Sequence, residues 1–245
     1  MNFTQFNKMN PKGFTLIELM IAILIGVLIV GATLTIYVTT IKGSSNTLKL
    51  TRLNQDIGVT LQIMTNDIRR AGYWGGAVVG ANLTLNPFSD VQVRDVGDIA
   101  LGDLSLGPLT GNCITYSYDA NAYDDVSYDP AVDSVAPDAN EYFGFRLNNG
   151  AVQIKTSGTT SLNPQCNDGV WVNLTDPDEI NVSQLEFTLS AENTATNSTG
   201  NVVTARQVSI RIEAEIVSDP SINSRLDDEN GINDVVKIRN NLVEP

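Results

Sequence analysis

The sequence predicts an α+β fold, in which a long N-terminal helix is followed by a head rich in antiparallel strands. Residues 14–38 form an apolar run, and apolar residues then recur three and four positions apart as far as Ile68. That spacing marks one face of a helix. After residue 73, apolar and polar residues alternate in short runs separated by Gly, Asn, Asp and Pro, as in strands joined by turns. A helix followed by strands is typical of the α+β class.

The composition argues against several classes of function. The chain of 245 residues is long enough to bury a sizeable core. It carries 15 Lys and Arg against 28 Asp and Glu, a net charge of −13, which disfavours nucleic-acid binding through phosphates. The chain has no histidine, which removes Ser-His-Asp triads, Cys-His pairs and His-ligated zinc. We therefore expect a protein that is not an enzyme and that uses no cofactor and no metal.

The N-terminal segment joins a basic start to a stretch that can cross a membrane. Residues 1–13 contain Lys8 and Lys12 and no acid. Residues 14–38 would extend ~37 Å as a helix, which exceeds a ~30 Å hydrocarbon core. The positive-inside rule then places the N-terminus in the cytoplasm and residues 39–245 outside the inner membrane. The run is too long for an ordinary secretory signal, and a plain anchor does not explain the carboxylate of Glu18.

Residues 12–18 have the sequence KGFTLIE, which resembles the class III signal of type IV pilins and pseudopilins. The resemblance implies that residues 1–13 are a leader, that a membrane peptidase cuts between Gly13 and Phe14, and that the same enzyme N-methylates Phe14. It also implies that Glu18 pairs with the Phe14 amine of a neighbouring subunit when helices stack in a filament. Such a pair in an apolar bundle sets register more surely than it adds stability. A simple membrane anchor is the alternative.

The helix is predicted to continue beyond the apolar run. Its second half carries one apolar stripe, formed by Leu50, Leu53, Ile57, Leu61, Met64 and Ile68. We expect it to end near Ala71, with Gly72 in the left-handed position that closes many helices, at a total length of ~87 Å. Arg69 and Arg70 would complement the negative end of the helix, with a binding role as the alternative. The predicted segments are 14–42 in the membrane or filament core, 43–72 packed on the head, and 73–245 as the head.

In the head, residues 208–216 and 185–189 alternate most clearly, which predicts a hairpin. The polar residues 191–201 between them are expected to form a long loop. Shorter alternations predict further strands at 114–118, 143–147, 151–155, 170–174 and 235–239.

Cys113 and Cys166 are the only cysteines, and both lie on the predicted outer side of the membrane. An oxidising compartment favours a disulfide, closing a loop of about 54 residues worth ~4 kcal/mol in the chain-entropy model. Two free thiols are the alternative. A redox pair is disfavoured because the spacing is not C-x-x-C.

Residues 95–145 hold ten acids and neither Lys nor Arg. A solvated acidic face is expected there, with a calcium site as the alternative. Among these acids lie Tyr116, Tyr118, Tyr123, Tyr128 and Tyr142. They are expected to pack half-buried on strands, with binding of a sugar or a basic protein as the alternative. Residues 227–231 are expected to be a turn, since Leu226 stands where an EF-hand has its first ligand. Trp74 and Trp171 are expected to anchor the core or an interface.

Residues 67–75, DIRRAGYWG, resemble the end of the long helix in PilW-type minor pilins, and a related form occurs in J-type pseudopilins of type II secretion. The strand at 236–240 fits the same group. The resemblance implies a type IV pilin fold and a minor pilin that primes type IV pilus assembly and sits at the pilus tip. Its implied partners are other minor pilins and the major pilin, bound through the N-terminal helix. The resemblance also implies three further partners: the prepilin peptidase/methyltransferase, the inner-membrane assembly platform and a tip adhesin.

The predicted location is the inner membrane, crossed once, with a periplasmic head before assembly and a place at the tip of the pilus on the cell surface afterwards. Cell adhesion and twitching motility would follow from that role. A J-type pseudopilin and a membrane-tethered periplasmic ligand-binding module are the alternative functions.

Overall fold

The computed structural model describes residues 13–75, 86–97, 103–120, 137, 139–157, 165–196, 200–224 and 231–244. The chain divides into two compact units, Met1–Leu48 and Lys49–Pro245. Tyr123, Tyr128, Leu226, most of the acids predicted to form an acidic face and all but the last residue of 227–231 lie outside the described residues.

The long helix is present as α1, Leu16–Ile68, with 53 residues. It begins two residues after the predicted start because Thr15 acts as its N-cap: the Thr15 hydroxyl accepts from the Glu18 amide at 3.3 Å. It ends three residues before Ala71, the predicted end. The Arg70 and Ala71 amides bond to carbonyls three residues back, and the Gly72 amide bonds to the Ser117 carbonyl at 2.9 Å. The left-handed conformation predicted for Gly72 is confirmed by its φ of +75°.

The apolar stripe on α1 packs in the head, with one exception. Its buried members are Leu53, Ile57, Leu61, Met64 and Ile68, and Thr60 and Thr65 are buried beside them. Leu50 is 39% exposed, so its inclusion in the stripe was wrong. The head covers this helix face only from Leu53 onward.

All strands lie in two antiparallel sheets, and the predicted α+β class is confirmed. The strands are β1 Val91–Arg94, β2 Leu109–Gly111, β3 Cys113–Ser117, β4 Tyr142–Asn148, β5 Ala151–Ser157, β6 Val170–Asn173, β7 Ile180–Thr196, β8 Val202–Ile216, β9 Asp219–Asn223, β10 Ile232–Lys237 and β11 Leu242–Glu244. Short 3₁₀ helices cover Leu104–Leu106 and Ala139–Glu141. One sheet has the order β1-β3-β4-β5-β6 and the other β10-β8-β7-β2, with β9 and β11 also paired to β8.

The core lies where apolar faces of both sheets meet the buried stripe of α1. Its largest fully buried side chains include Tyr116, Phe145, Phe187, Ile114 and Ile210. These residues come from β3, β4, β7 and β8, so one cluster joins the two sheets and the helix. The head is therefore built around the second half of α1.

The prediction of a long loop at 191–201 was wrong. β7 runs to Thr196 and β8 starts at Val202, and the two strands remain paired through Thr194↔Thr204 and Thr196↔Val202. β-Branched residues favour an extended backbone even when they are exposed. The other predicted strands are present with shifted ends: residue 174 lies beyond β6, and residues 238 and 239 lie beyond β10.

Candidate functional site

The predicted processing and assembly residues lie at the first turn of α1. Phe14 is 83% exposed, and a side chain at Gly13 would contact nothing within 4 Å. Thr15 and Glu18 have the spacing of a capping box, with the threonine as N-cap and the glutamate at the third helical position. A carboxylate there is favoured by the positive end of the helix dipole. Cleavage after Gly13, methylation of Phe14 and pairing of Glu18 remain predictions.

The first part of α1 presents apolar side chains on every side. Among the described residues, α1 alone is long and apolar enough to cross a membrane, and none of its most apolar stretch is buried. Leu16, Leu24, Leu28 and Ile36 are each more than half exposed. An apolar surface of this extent needs lipid or other helices to cover it.

Threonines in this apolar part satisfy their own hydroxyls. Thr33, Thr35, Thr39 and Thr40 each donate to a backbone carbonyl three or four residues back, at 2.8–3.1 Å. A polar group that bonds within its own helix can enter hydrocarbon at little cost.

The other end of α1 is fixed to β3 through one carboxylate. Asp67 accepts from the Tyr116 hydroxyl at 2.6 Å and from the Tyr118 hydroxyl at 2.9 Å. The Arg70 guanidinium lies 3.7 Å from the same carboxylate and 4.0 Å from the centre of the Tyr118 ring. Burial, followed by the Asp67 charge, raises the pKa of both tyrosines. Tyr116, Tyr118 and Tyr142 are more deeply buried than predicted.

Removing one hydroxyl from this cluster should weaken the head measurably. We expect Tyr116→Phe to lower the free energy of unfolding by about 2 kcal/mol, the range for a hydrogen bond to a charged group. A raised pKa means that the folded state holds the phenolic proton more tightly, so stability is full below about pH 10 and falls as the pH rises further. The loss of stability above about pH 10 should be smaller in Tyr116→Phe, because this variant lacks one of the two phenolic protons. Urea unfolding of the full chain in detergent, followed by tryptophan fluorescence, measures both effects.

A double-mutant cycle with Asp67→Asn tests whether the bond to Asp67 is responsible. Tyr116→Phe should cost less in the Asp67→Asn background than in the wild type. If the double variant lost as much free energy of unfolding as the two single variants together, the bond between Tyr116 and Asp67 would not explain the stability of the cluster.

A pocket of about 460 Å³ opens beside the cluster. It is lined by Asn66, Arg69, Arg70, Tyr73, Asp119, Ala120, Arg239 and Asn240. Arg69 and Arg70 directly follow α1 and do not lie in its last turn, which contains no basic residue; that they complement the helix dipole remains a prediction. Arg239 lies far away in the sequence, and no local pattern indicated that its backbone amide would bond to the Arg69 carbonyl at 3.3 Å.

The predicted disulfide Cys113–Cys166 is present in the structure. It holds residues 165–169, which we call the cysteine strap, over the polar face of the first sheet. Beneath the strap, the fully buried Lys155 ammonium bonds to the Asp168 carboxylate at 2.5 Å and to the Gln165 carbonyl at 3.2 Å. Burial lowers the pKa of Lys155, and Asp168 opposes that shift.

The two predicted tryptophan anchors occupy different environments. Trp74 is buried. Trp171 is half-buried, and its ring lies against the Arg146 guanidinium at 4.3 Å. Its indole nitrogen donates to the Asp168 carbonyl at 2.7 Å, so Trp171 belongs to the set of residues that hold the strap.

Breaking the disulfide should destabilise the head strongly. We expect Cys113→Ala/Cys166→Ala to lower the free energy of unfolding by about 4 kcal/mol, because the unfolded chain regains the freedom of a loop of some 50 residues. Urea unfolding of the full chain with and without reductant measures this. Reductant should weaken the wild type and leave the double variant unchanged. A loss below about 1 kcal/mol would show that the link adds little.

No group of three metal-ligating side chains occurs within the ranges that the structure describes. Most of the acids considered for calcium lie outside those ranges.

Two family models match the chain. The prokaryotic N-terminal methylation motif matches residues 8–34, which include Gly13, Phe14 and Glu18. The family described as prepilin peptidase-dependent protein B matches residues 46–230. Comparison with curated proteins and with solved structures gives no match. The first match covers the apolar start of α1, and the second covers α1 from residue 46 onward and most of the head. The chain therefore belongs to the prepilin peptidase-dependent protein B family and is a pilin-like protein with a membrane-anchoring N-terminal helix.

Proposed function

We propose that this protein is a minor pilin that primes the assembly of a type IV pilus and remains at or near its tip. One observation carries the proposal: a prepilin-type N-terminus opens an unbroken helix, α1, whose first part is exposed and apolar and whose last part lies in the core of the head. Such a helix can be held in the membrane as a monomer and packed against other helices in a filament. A tethered ligand-binding module would more typically have a flexible linker after the span.

The size of the head supports a tip position. Cleavage after Gly13 would leave 232 residues, from 245 less 13. In the pilin families that this chain resembles, a head this large is typical of a tip or initiation subunit. Removal of Lys8 and Lys12 would take the net charge from −13 to −15.

In this proposal the protein performs no chemistry of its own. It is the substrate of the prepilin peptidase/methyltransferase at Gly13 and Phe14. It then joins other minor pilins and the major pilin through α1 at the inner-membrane assembly platform, and its head is available to a tip adhesin. The absence of histidine from the sequence supports a structural role.

A tip subunit of a type II secretion pseudopilus is the second candidate. It is favoured by residues 67–75, whose sequence DIRRAGYWG resembles both PilW-type minor pilins and J-type pseudopilins. Both candidates share the same membrane topology and processing.

A clean deletion distinguishes the candidates when surface pili are counted with and without the retraction motor. A priming minor pilin predicts that pili vanish and partly return once retraction is disabled. Unchanged pili with failed secretion of exoproteins would replace the proposal with the pseudopilin. Complementation with the wild-type chain should restore the phenotype, and complementation with Gly13→Lys should not.

A further inference from the structure

The pocket beside the end of α1 has walls that are fixed to one another. Three stretches meet there: the end of α1 with the turn after it, residues 119–120 after β3, and residues 239–240 after β10. The Asp119 amide bonds to the Tyr73 carbonyl at 2.9 Å, and the Asn240 side chain donates to the Ala71 carbonyl at 3.0 Å. The pocket is therefore formed by the fold itself.

Its charge is opposite to that of the whole chain. Among the residues that the structure describes, three arginines, Arg69, Arg70 and Arg239, line it beside a single acid, Asp119. The Asp119 carboxylate accepts from the Gly75 amide at 3.0 Å. Arg70 is engaged by Asp67 and by the ring of Tyr118.

Arg69 and Arg239 remain available for a ligand. Within the described part of the chain, neither guanidinium forms an ion pair with a carboxylate. Two neighbouring arginines on the wall of a preformed pocket, neither of them paired to a carboxylate within the described residues, form a basic site that an acidic ligand would complement.

We propose that this pocket binds an acidic peptide segment of another protein, with Arg69 and Arg239 holding its carboxylates. The planar guanidinium pairs with carboxylates through two parallel hydrogen bonds. Tyr73, 37% exposed at the pocket, offers a ring for an adjacent apolar side chain. A volume of about 460 Å³ lies in the range of ligand sites and exceeds what one inorganic anion fills. The inference concerns the head alone and does not depend on the filament role.

The charge of the whole chain makes the test selective. A net charge of −13 repels an acidic peptide at long range, so stable binding needs a local basic site. The probe is a rhodamine-labelled nonapeptide with three glutamates among alanines and glycines, and fluorescence anisotropy follows its binding to the full chain in detergent. A peptide with glutamine in place of glutamate serves as the uncharged probe.

We expect Arg69→Gln/Arg239→Gln to weaken binding of the acidic peptide at least tenfold. The matched control, Lys49→Gln/Arg52→Gln, also removes two positive charges, but from a part of α1 outside the pocket. Its dissociation constant for the acidic peptide should lie within twofold of the wild-type value. Thermal unfolding of both variants checks that the head is intact. Absence of wild-type binding, an equal loss in the control or equal binding of the glutamine peptide would each overturn the proposal.

Two further measurements separate a peptide site from a simple anion site. Inorganic phosphate at 100-fold excess over the peptide should displace little of it, and full displacement would reduce the site to one for free anions and overturn the proposal. The variant Arg69→Glu/Arg239→Glu should bind a peptide with three lysines more tightly than the peptide with three glutamates. Absence of this reversal, with the head folded, would show that these side chains do not contact the peptide.

Discussion

A lysine in place of Gly13 is expected to leave the chain uncut, so that the full-length 26.4 kDa precursor accumulates in the membrane and mature subunit falls below detection. The reason lies in the peptidase and not in the fold of the substrate. A side chain at Gly13 contacts nothing within 4 Å, so the chain itself tolerates the change. A long charged side chain next to the scissile bond would keep the backbone from entering a peptidase site that is built for glycine. Intact-mass spectrometry of membrane fractions measures the ratio of precursor to product.

The matched control for this experiment is Gly58→Lys. Gly58 also has open space around it, lies on an exposed face of α1 and is far from the leader, so processing should be normal. A mature product beginning at Phe14 in Gly13→Lys would remove the prepilin interpretation of the N-terminus. A block in both variants would point to a general effect of added charge on insertion.

Features that depend on local periodicity could be predicted from the sequence. The long helix and the strands around 114–118, 143–147 and 151–155 follow from the spacing of apolar residues. The disulfide follows from there being two cysteines and an oxidising side of the membrane. Four short strands were not predicted. β2 and β11 have three residues each, too few for alternation to show, and β9 begins with Asp219 and Pro220, which are rare in strands. β1 does alternate over Val91–Arg94 and was missed.

Features that depend on contacts distant in sequence could not be predicted. Asp67 is bonded to Tyr116 and Tyr118 across about 50 positions, and Asn240 reaches Ala71 across 169. Arg69 and Arg70 show most directly that such distant contacts could not be predicted from the sequence. Their sequence position next to a helix end suggested a dipole role, and packing against β3 and the turn after β10 also places both arginines at a pocket.

The N-terminal site was predicted from its motif, and the structure adds that Thr15 caps α1 there. Thr15 caps α1 by accepting from the Glu18 amide, and a carboxylate in the first turn is favoured by the positive end of the helix dipole, so Glu18 costs little when the helix forms. Glu18 would then have two separable functions in the prediction: its side chain would support the cap, and its charge would pair with a neighbouring subunit. A single alanine substitution removes both, so a second substitution is needed to separate them.

Glu18→Ala is expected to leave leader cleavage largely intact while lowering incorporation into filaments at least tenfold. Breaking one partner of a buried ion pair costs about 3–5 kcal/mol, and the Phe14 amine of the adjacent subunit would be left uncompensated among apolar helices. Glu18→Gln decides the cause. Glutamine also serves at the third position of a capping box but carries no charge, so incorporation should fall as far as it does with alanine.

The measurement is the ratio of this subunit in sheared filaments to that in membranes, by quantitative immunoblot against the mature chain. Asp56→Asn removes one exposed acid from the same helix and should incorporate normally, which controls for net charge. If Glu18→Gln restored incorporation, capping of α1 would explain the requirement and the charge pair would be wrong. If both Glu18 variants entered filaments like the wild type, Glu18 would have no part in assembly. The tenfold loss is expected only where the Glu18 charge meets an amine that no water reaches, and so the experiment also tests whether the first turn of α1 is buried in the filament.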